Sequence, residues 1–130
     1  MKEWTKKEIG DFGEQKAVNF LRLRGYTVKE RNWFAGKHEI DIIAAGFRDL
    51  VFVEVKTRTY DPKAWETAPP PSLAVHTSKQ GFTRRAAMEY LHLHPTRKQP
   101  RMDVIEVWLS KPENGKKPKV LRINHLKAAY

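Results

Sequence analysis

The chain has 130 residues, and 25 Lys and Arg against 15 Asp and Glu give it a formal net charge of +10. That length fits one domain, residues 1–130, with a sizeable core. The absence of cysteine excludes disulfides and thiolate metal sites, and no apolar run reaches membrane-spanning length. The stretch Met1 to Glu8 lacks the apolar segment of a signal peptide, so the expectation is a soluble cytoplasmic protein with no membrane contact. The positive balance points to a polyanionic partner, most often nucleic acid.

Thr5-Lys-Lys-Glu8 fits a capping box and predicts a helix running to about Arg24, with Gly25 as its stop. Ile9, Gly13, Ala17, Phe20 and Leu21 make one stripe at helical spacing. Gly10, Gly13 and Ala17 flatten part of it, which lets the helix axis approach a sheet closely. Glu14 lies at the stripe's margin. From spacing alone it reads as an exposed Glu paired with a nearby lysine.

Tyr26 to Trp33 is the first predicted strand, and Phe34 to His38 turns into the next. Glu39 to Ala45 and Val51 to Arg58 are β-branched runs around a loop containing Gly46, a hairpin signal. If Ala44 pairs with Val51, then Asp41 falls opposite Glu54, Ile43 opposite Phe52 and Glu39 opposite Lys56. Glu39, Asp41 and Ile43 would share one face, and Phe52, Glu54 and Lys56 another. Directly opposed side chains have Cβ atoms roughly 5 Å apart, and like charges there are destabilising. Two converging carboxylates with a backbone carbonyl and water suit a hard divalent ion such as Mg²⁺. Lys56, one pleat along the same face, is placed to stabilise developing negative charge. The blander reading is a Glu54–Lys56 ion pair on a solvated face.

Tyr60 to Ser72 holds too many prolines for regular structure and reads as an exposed loop. A second helix is expected from a cap at Thr77 or Ser78 to about His92. Phe82, Ala86 and Tyr90 give it one apolar stripe, and Ala87 and Leu91 another. Two stripes fit a helix packed between layers or one shared with a second copy of the chain in a homodimer. A basic loop at Arg97-Lys98 leads to a strand from Arg101 to Leu109. Asn114-Gly115 marks a turn before a last strand, Val120 to Ile123. The five histidines show no zinc spacing and read as ordinary solvent or loop residues.

Charge is unevenly distributed. Residues 39–54 hold four acids and one base, and residues 79–101 hold six bases and one acid. An acidic pocket in a basic protein is what a metal-dependent phosphodiesterase needs.

The order helix, three strands, helix, strand, with Glu14, Asp41 and Glu54-Val-Lys56 inside it, resembles the restriction-endonuclease-like nuclease superfamily. Its signature is an Asp on one strand and Asp/Glu-x-Lys on the next. The chain more closely resembles the YraN-like family of small bacterial proteins. That likeness rests on Gly10-Asp-Phe-Gly13-Glu14, Arg31-Asn32-Trp33, Glu39-Ile-Asp41, Val51 to Arg58, Ala74-Val75 with Lys79, and Arg101-Met-Asp103. More distantly it is similar to archaeal Holliday-junction resolvases.

The resemblance implies an α/β fold, a mixed central sheet flanked by helices. It also implies Mg²⁺- or Mn²⁺-dependent cleavage of DNA, branched DNA included. Asp41 and Glu54 would be metal ligands, Lys56 the catalytic lysine, and Glu14 the supporting helix carboxylate. Arg58, Lys79, Arg84 and Arg85 are the expected phosphate contacts. His38 stands where many relatives have glycine. Two other readings remain open: a module that holds DNA without cutting, and an accessory subunit of a DNA-processing complex.

Overall fold

The computed structural model describes residues 3–65, 67–68 and 77–130, with the side chains of 77–79 excepted. The side chains of the expected cap at Thr77 or Ser78, the Pro69–Pro71 segment and the Ala74-Val75 motif lie outside the described residues. Helix α1 (Lys6–Leu23) opens on the expected capping box: Thr5 accepts from the Glu8 N–H, and Glu8 accepts from the Thr5 N–H, both at 3.1 Å. Gly25, at φ +88°, stops it. Strands β1 (Thr27–Ala35), β2 (His38–Ala45) and β3 (Asp49–Thr59) follow. Helix α2 (Thr77–Leu93), β4 (Gln99–Leu109) and β5 (Val120–Leu126) complete the chain.

The strands form one sheet in the order β1-β2-β3-β4-β5. Neighbours are antiparallel except β3 and β4, which run parallel from Asp49–Gln99 to Thr59–Leu109. A parallel pair needs a crossover of a dozen or more residues, and the segment carrying α2 supplies it. The fold is therefore a mixed α/β one, with α1 packed mainly across β3 and β4 and α2 mainly across β2. Ala17, Val18 and Leu21 of α1 bury against Ile42, Ala44, Val51, Val53, Ile105 and Val107. On the other face Ala86, Ala87 and Tyr90 of α2 bury against Ile40, Ile43, Leu50 and Phe52.

Several boundaries differ from the sequence reading. Phe34 and Ala35 belong to β1, and the turn is Gly36-Lys37, with Gly36 at φ +60° and Ala35 paired to His38. His38 thus begins β2 and needs no glycine-like backbone. The β2–β3 loop shrinks to residues 46–48, because Ala45 still pairs with Leu50. The proline-rich loop holds a short 3₁₀ turn, Pro62–Ala64, capped by the Asp61 carboxylate on the Lys63 N–H at 2.9 Å. The Asn114-Gly115 turn forms with both residues at positive φ, +53° and +73°.

The flat stripe on α1 is used at one glycine. A Cβ on Gly13 would stand 2.1 Å from Thr57 Oγ1 and 2.8 Å from Thr57 Cβ, whereas one on Gly10 meets nothing within 4 Å. Gly13 therefore sets how closely α1 crosses β3, and Gly10 does not.

A buried polar cluster ties the far end of the sheet together. Arg101 donates to Asp103 at 2.8 and 2.9 Å, to Asp49 at 2.8 Å and to the Tyr26 hydroxyl at 2.9 Å. Asp103, fully buried, also receives the Ala128 N–H at 3.0 Å and the His125 ring Nε2–H at 2.7 Å. His125 is thus a largely buried partner of Asp103 and not the solvent residue the sequence reading made it. Burial pushes the Asp103 carboxyl up, but the hydrogen bonds from His125, Arg101 and Ala128 outweigh it and hold it at about 2.

Two stability experiments follow from this packing. Gly13→Ala should destabilise by about 1–3 kcal/mol despite its better helix propensity, because Thr57 has no room. Gly10→Ala should stabilise by about 0.5–1 kcal/mol. Denaturant melts that rank the pair the other way would remove the close α1–β3 crossing.

The second concerns acid. A carboxyl lowered on folding stabilises above its unfolded value, and that contribution fades as pH falls through its folded value. Wild type should therefore lose about 2 kcal/mol between pH 4 and pH 2 through Asp103. Asp103→Asn should be weaker at pH 7 by about 2–4 kcal/mol and flatter across that window. A parallel pH dependence in both proteins would contradict the assignment.

Candidate active site

The assumed hairpin register is observed: Ala44 pairs with Val51, Ile43 with Phe52 and Ile42 with Val53. It then stops. Asp41 does not face Glu54 as a ladder pair. Its Oδ2 instead accepts the Val55 N–H at 2.8 Å. A side-chain acceptor takes the place of the partner strand, so β2 and β3 part at this point. Ile40 and Ile42, two residues apart, consequently bury on opposite faces of the sheet. The expected shared face of Glu39, Asp41 and Ile43 is broken: Ile43 packs under α2, while Glu39 and Asp41 line a cleft beside α1. On the neighbouring strand Asn32 adopts φ +49°, between the Arg31–Ile42 and Trp33–Ile40 pairs. Asparagine tolerates that conformation better than most residues.

The cleft holds about 940 Å³ and is walled by the first turns of α1 and the ends of β1, β2 and β3. Glu14 sits in it, mostly buried, and its partners are not lysines. Arg31 lies 3.5 Å from Glu14 Oε1, and Asn32 donates to Glu14 Oε2 at 3.3 Å. The same Asn32 amide donates to Glu39 Oε1 at 2.6 Å. Asn32 thus bridges a helix carboxylate and a strand carboxylate. Neither Asn32 nor Glu39 stands out by spacing; an Asn inside a strand beside the Asp41 run was the available signal.

Glu54 and Lys56 lie together as the strand alternation requires, Lys56 Nζ 3.5 Å from Glu54 Oε1. Glu54 is 5% exposed. Tyr130 reaches the same place. Burial pushes its phenol above the usual value, the Glu54 and Asp41 charges push the same way, and Thr83 and Arg84 oppose them. Asp41 lines the cleft, whereas Glu54 and Lys56 are not among the residues that wall it. No sequence spacing announces Tyr130.

Asp41, Glu54 and the intervening Val55 backbone are hard oxygen donors. Among the described residues no group of three His, Cys, Asp or Glu side chains could hold a metal. A site of one or two carboxylates, completed by water and substrate phosphate, is the way Mg²⁺ is usually held. By donor chemistry alone the two carboxylates are of the kind Mg²⁺ or Mn²⁺ takes and form no closed zinc cage, and only Asp41 of the two lines the cleft.

The cations divide. Arg58 is exposed and lines the cleft. Arg84 and Arg85 are exposed on α2, and their guanidinium groups lie 5.5 Å from the Tyr130 ring centre and 5.9 Å from that of Phe82. Phe82 in turn stacks on His38 at 4.3 Å. The Lys79 side chain lies outside the described residues. Two members of the expected basic cluster are internal. Arg101 is held in the Asp49–Asp103 network, and Lys98 Nζ donates to the Gly46 and Phe47 carbonyls at 2.8 and 3.1 Å.

A mixed five-stranded sheet with a helix on each face, opened at one hairpin to expose a carboxylate-lined cleft, defines an α/β protein with a built polar site. The model of the uncharacterised protein family UPF0102 matches residues 13–107, and the chain belongs to that family. This bears out the YraN-like resemblance at the family level. A UPF0102 protein of Bacteroides thetaiotaomicron is 40% identical over 123 residues, covering 95% of this chain and 92% of its own. One from Caldanaerobacter subterraneus is 37% identical over 131 residues and covers both chains in full. One from Caldicellulosiruptor saccharolyticus is 36% identical over 127 residues, covering 97% and 99%. Among the described residues, no helix is long and apolar enough to cross a membrane.

The role of Asp41 as an acceptor for Val55 can be separated from its charge. Asp41→Asn keeps an acceptor oxygen and removes one charge from a cleft lined by four carboxylates, so the metal-free variant should melt at or above wild type. Asp41→Ala leaves the Val55 N–H without its acceptor and should lose about 1–3 kcal/mol. Thermal melts in chelator decide it: equal destabilisation of both variants would make the charge, not the hydrogen bond, the structural element.

Proposed function

We propose that this protein is a Mg²⁺- or Mn²⁺-dependent endonuclease of the restriction-endonuclease-like superfamily, acting on DNA and on branched DNA in particular. One observation carries the reading. Asp41 reaches across to the N–H of Val55, the residue between Glu54 and Lys56, at the cleft that also holds Glu14. Glu54 and Lys56 flank Val55 on β3 and pair with each other there, while Asp41 and Glu14 line the cleft.

Hydrolysis joins a water oxygen to phosphorus and breaks the bridging P–O bond, and the leaving oxygen takes a proton. Asp41 and Glu54 would hold a divalent cation, and the chemistry it would supply when bound is polarisation of the phosphate and a more acidic water. Lys56, paired with Glu54, would supply the positive charge for the negative charge that builds on the phosphoryl oxygens. Glu14, tied to Arg31 and Asn32, holds the helix side of the cleft in place. Arg58 at the mouth is set to neutralise a flanking phosphate.

A second reading, a module that holds DNA without cutting, draws on the burial of Glu54 and its pairing with Lys56. Linear, nicked, flapped and four-way-junction DNA incubated with Mn²⁺ or with chelator separates the two. Cleavage should require metal, and Lys56→Ala should lower its rate by about 100-fold or more while leaving DNA affinity within about twofold. Mn²⁺ should raise the melting temperature of wild type and much less that of Asp41→Asn. Equal cleavage by wild type and Lys56→Ala would remove the enzyme reading, and binding without cleavage would leave the module.

A further inference from the structure

The acidic cleft does not end at Arg58. It shares Ile9 and Thr59 with a second hollow of about 640 Å³. That hollow shares Lys111 with a third of about 670 Å³, between the β4–β5 loop and the segment after β3. Through these shared residues the three hollows adjoin one another near the end of the sheet where β3 and β4 finish.

Charge changes from one hollow to the next. The first hollow has Lys6, Lys7 and Arg58 against four carboxylates. The third has Lys63, Lys111, Lys116, Lys117 and Lys119 against Asp61 and Glu113. Among the described residues, none of these five ammonium groups is in an ion pair, and Asp61 already caps the Lys63 N–H. The loop that carries most of them is held in shape. Ser110 N–H donates to the Lys119 carbonyl and Lys119 N–H to the Ser110 hydroxyl, both at 2.8 Å. Pro118 is buried, and Asn114-Gly115 makes the tight turn. Compact ammonium charges on a pinned loop suit successive backbone phosphates, which they bind as point charges. The α2 arginines, by contrast, lie over rings of this chain.

We propose that the β4–β5 loop lysines hold the phosphate backbone of the DNA whose scissile phosphate enters the acidic cleft, and that this loop, not α2, is its main electrostatic contact. The proposal rests on the DNA-cleaving reading above but concerns binding alone.

Its test is the salt dependence of binding to a fluorescently labelled four-way-junction DNA in chelator, where no cleavage interferes. Each neutralised phosphate contributes about −0.9 to the slope of log affinity against log salt. The triple variant Lys116→Ala, Lys117→Ala, Lys119→Ala should lessen the slope by about 2–3 and keep the wild-type melting temperature. Arg84→Ala with Arg85→Ala should change it by less than about 0.5. Lys29→Ala with Lys37→Ala, exposed lysines outside the three hollows, controls for net charge and should also leave it unchanged. The single reversal Lys117→Glu gives the same reading if the triple variant is unstable. A slope unchanged in the loop variants but reduced in the α2 pair, or an equal loss in the Lys29–Lys37 control, overturns the loop assignment while DNA binding stands. Absence of binding by wild type at low salt overturns both the loop assignment and the DNA reading.

Discussion

The hydrogen bond from the Val55 N–H to Asp41 is the constraint on which the site depends. A backbone N–H at a strand junction must find an acceptor, because leaving it unpaired in a buried place costs as much as a lost hydrogen bond. Where β2 would continue to supply carbonyls, β2 and β3 would stay zipped and the carboxylates would lie flat on a sheet face. Asp41 supplies the acceptor from its side chain and lets the strands separate. The separation sends Ile40 under α2 and Ile42 under α1. It also opens the sheet end into a cleft against the first turns of α1.

Close approach of α1 completes that cleft. Without a Cβ at position 13, the helix settles directly on Thr57, and Glu14, the next residue, is carried to the sheet end. There Asn32, in a left-handed conformation that few residues tolerate, gives one amide to two carboxylates. Three elements distant in sequence are therefore locked around the acidic cleft by one small residue and one asparagine. At the other end of the sheet, the Arg101–Asp103 cluster with Asp49, Tyr26 and His125 does the corresponding work for β3, β4 and β5. Buried charge is tolerated there because each group has several partners.

The basic character of the chain is divided by the same geometry. Arg101 and Lys98 hold the fold, Arg31 braces Glu14, and Lys56 faces Glu54. Among the described residues, the side chains of the β4–β5 loop lysines form no ion pair. A net charge of +10 therefore overstates the cations of residues 79–101 as a binding surface.

Local patterns were legible in the sequence because they depend on near neighbours. The Thr5–Glu8 capping box, the Gly25 stop, the Asn114-Gly115 turn and the Ala44–Val51 register all appear as read. Strand alternation also put Glu54 and Lys56 on one face, where they form the ion pair of the blander reading. The family too was visible in ordered short motifs, and the match over residues 13–107 agrees. Only the tertiary structure decided where the hairpin ladder ends, since that turns on whether Val55 finds a strand or a carboxylate. Only it distinguished Gly13 from Gly10, which differ in what lies above them. It alone brought His125 onto Asp103 and Arg84 over the Tyr130 ring, because contacts between residues far apart in the chain leave no mark on local spacing. The direction of the sequence's charges, inward to hold the fold or outward to a partner, was decided in the same way: a side chain's neighbours in space, not in sequence, determine whether its charge is neutralised.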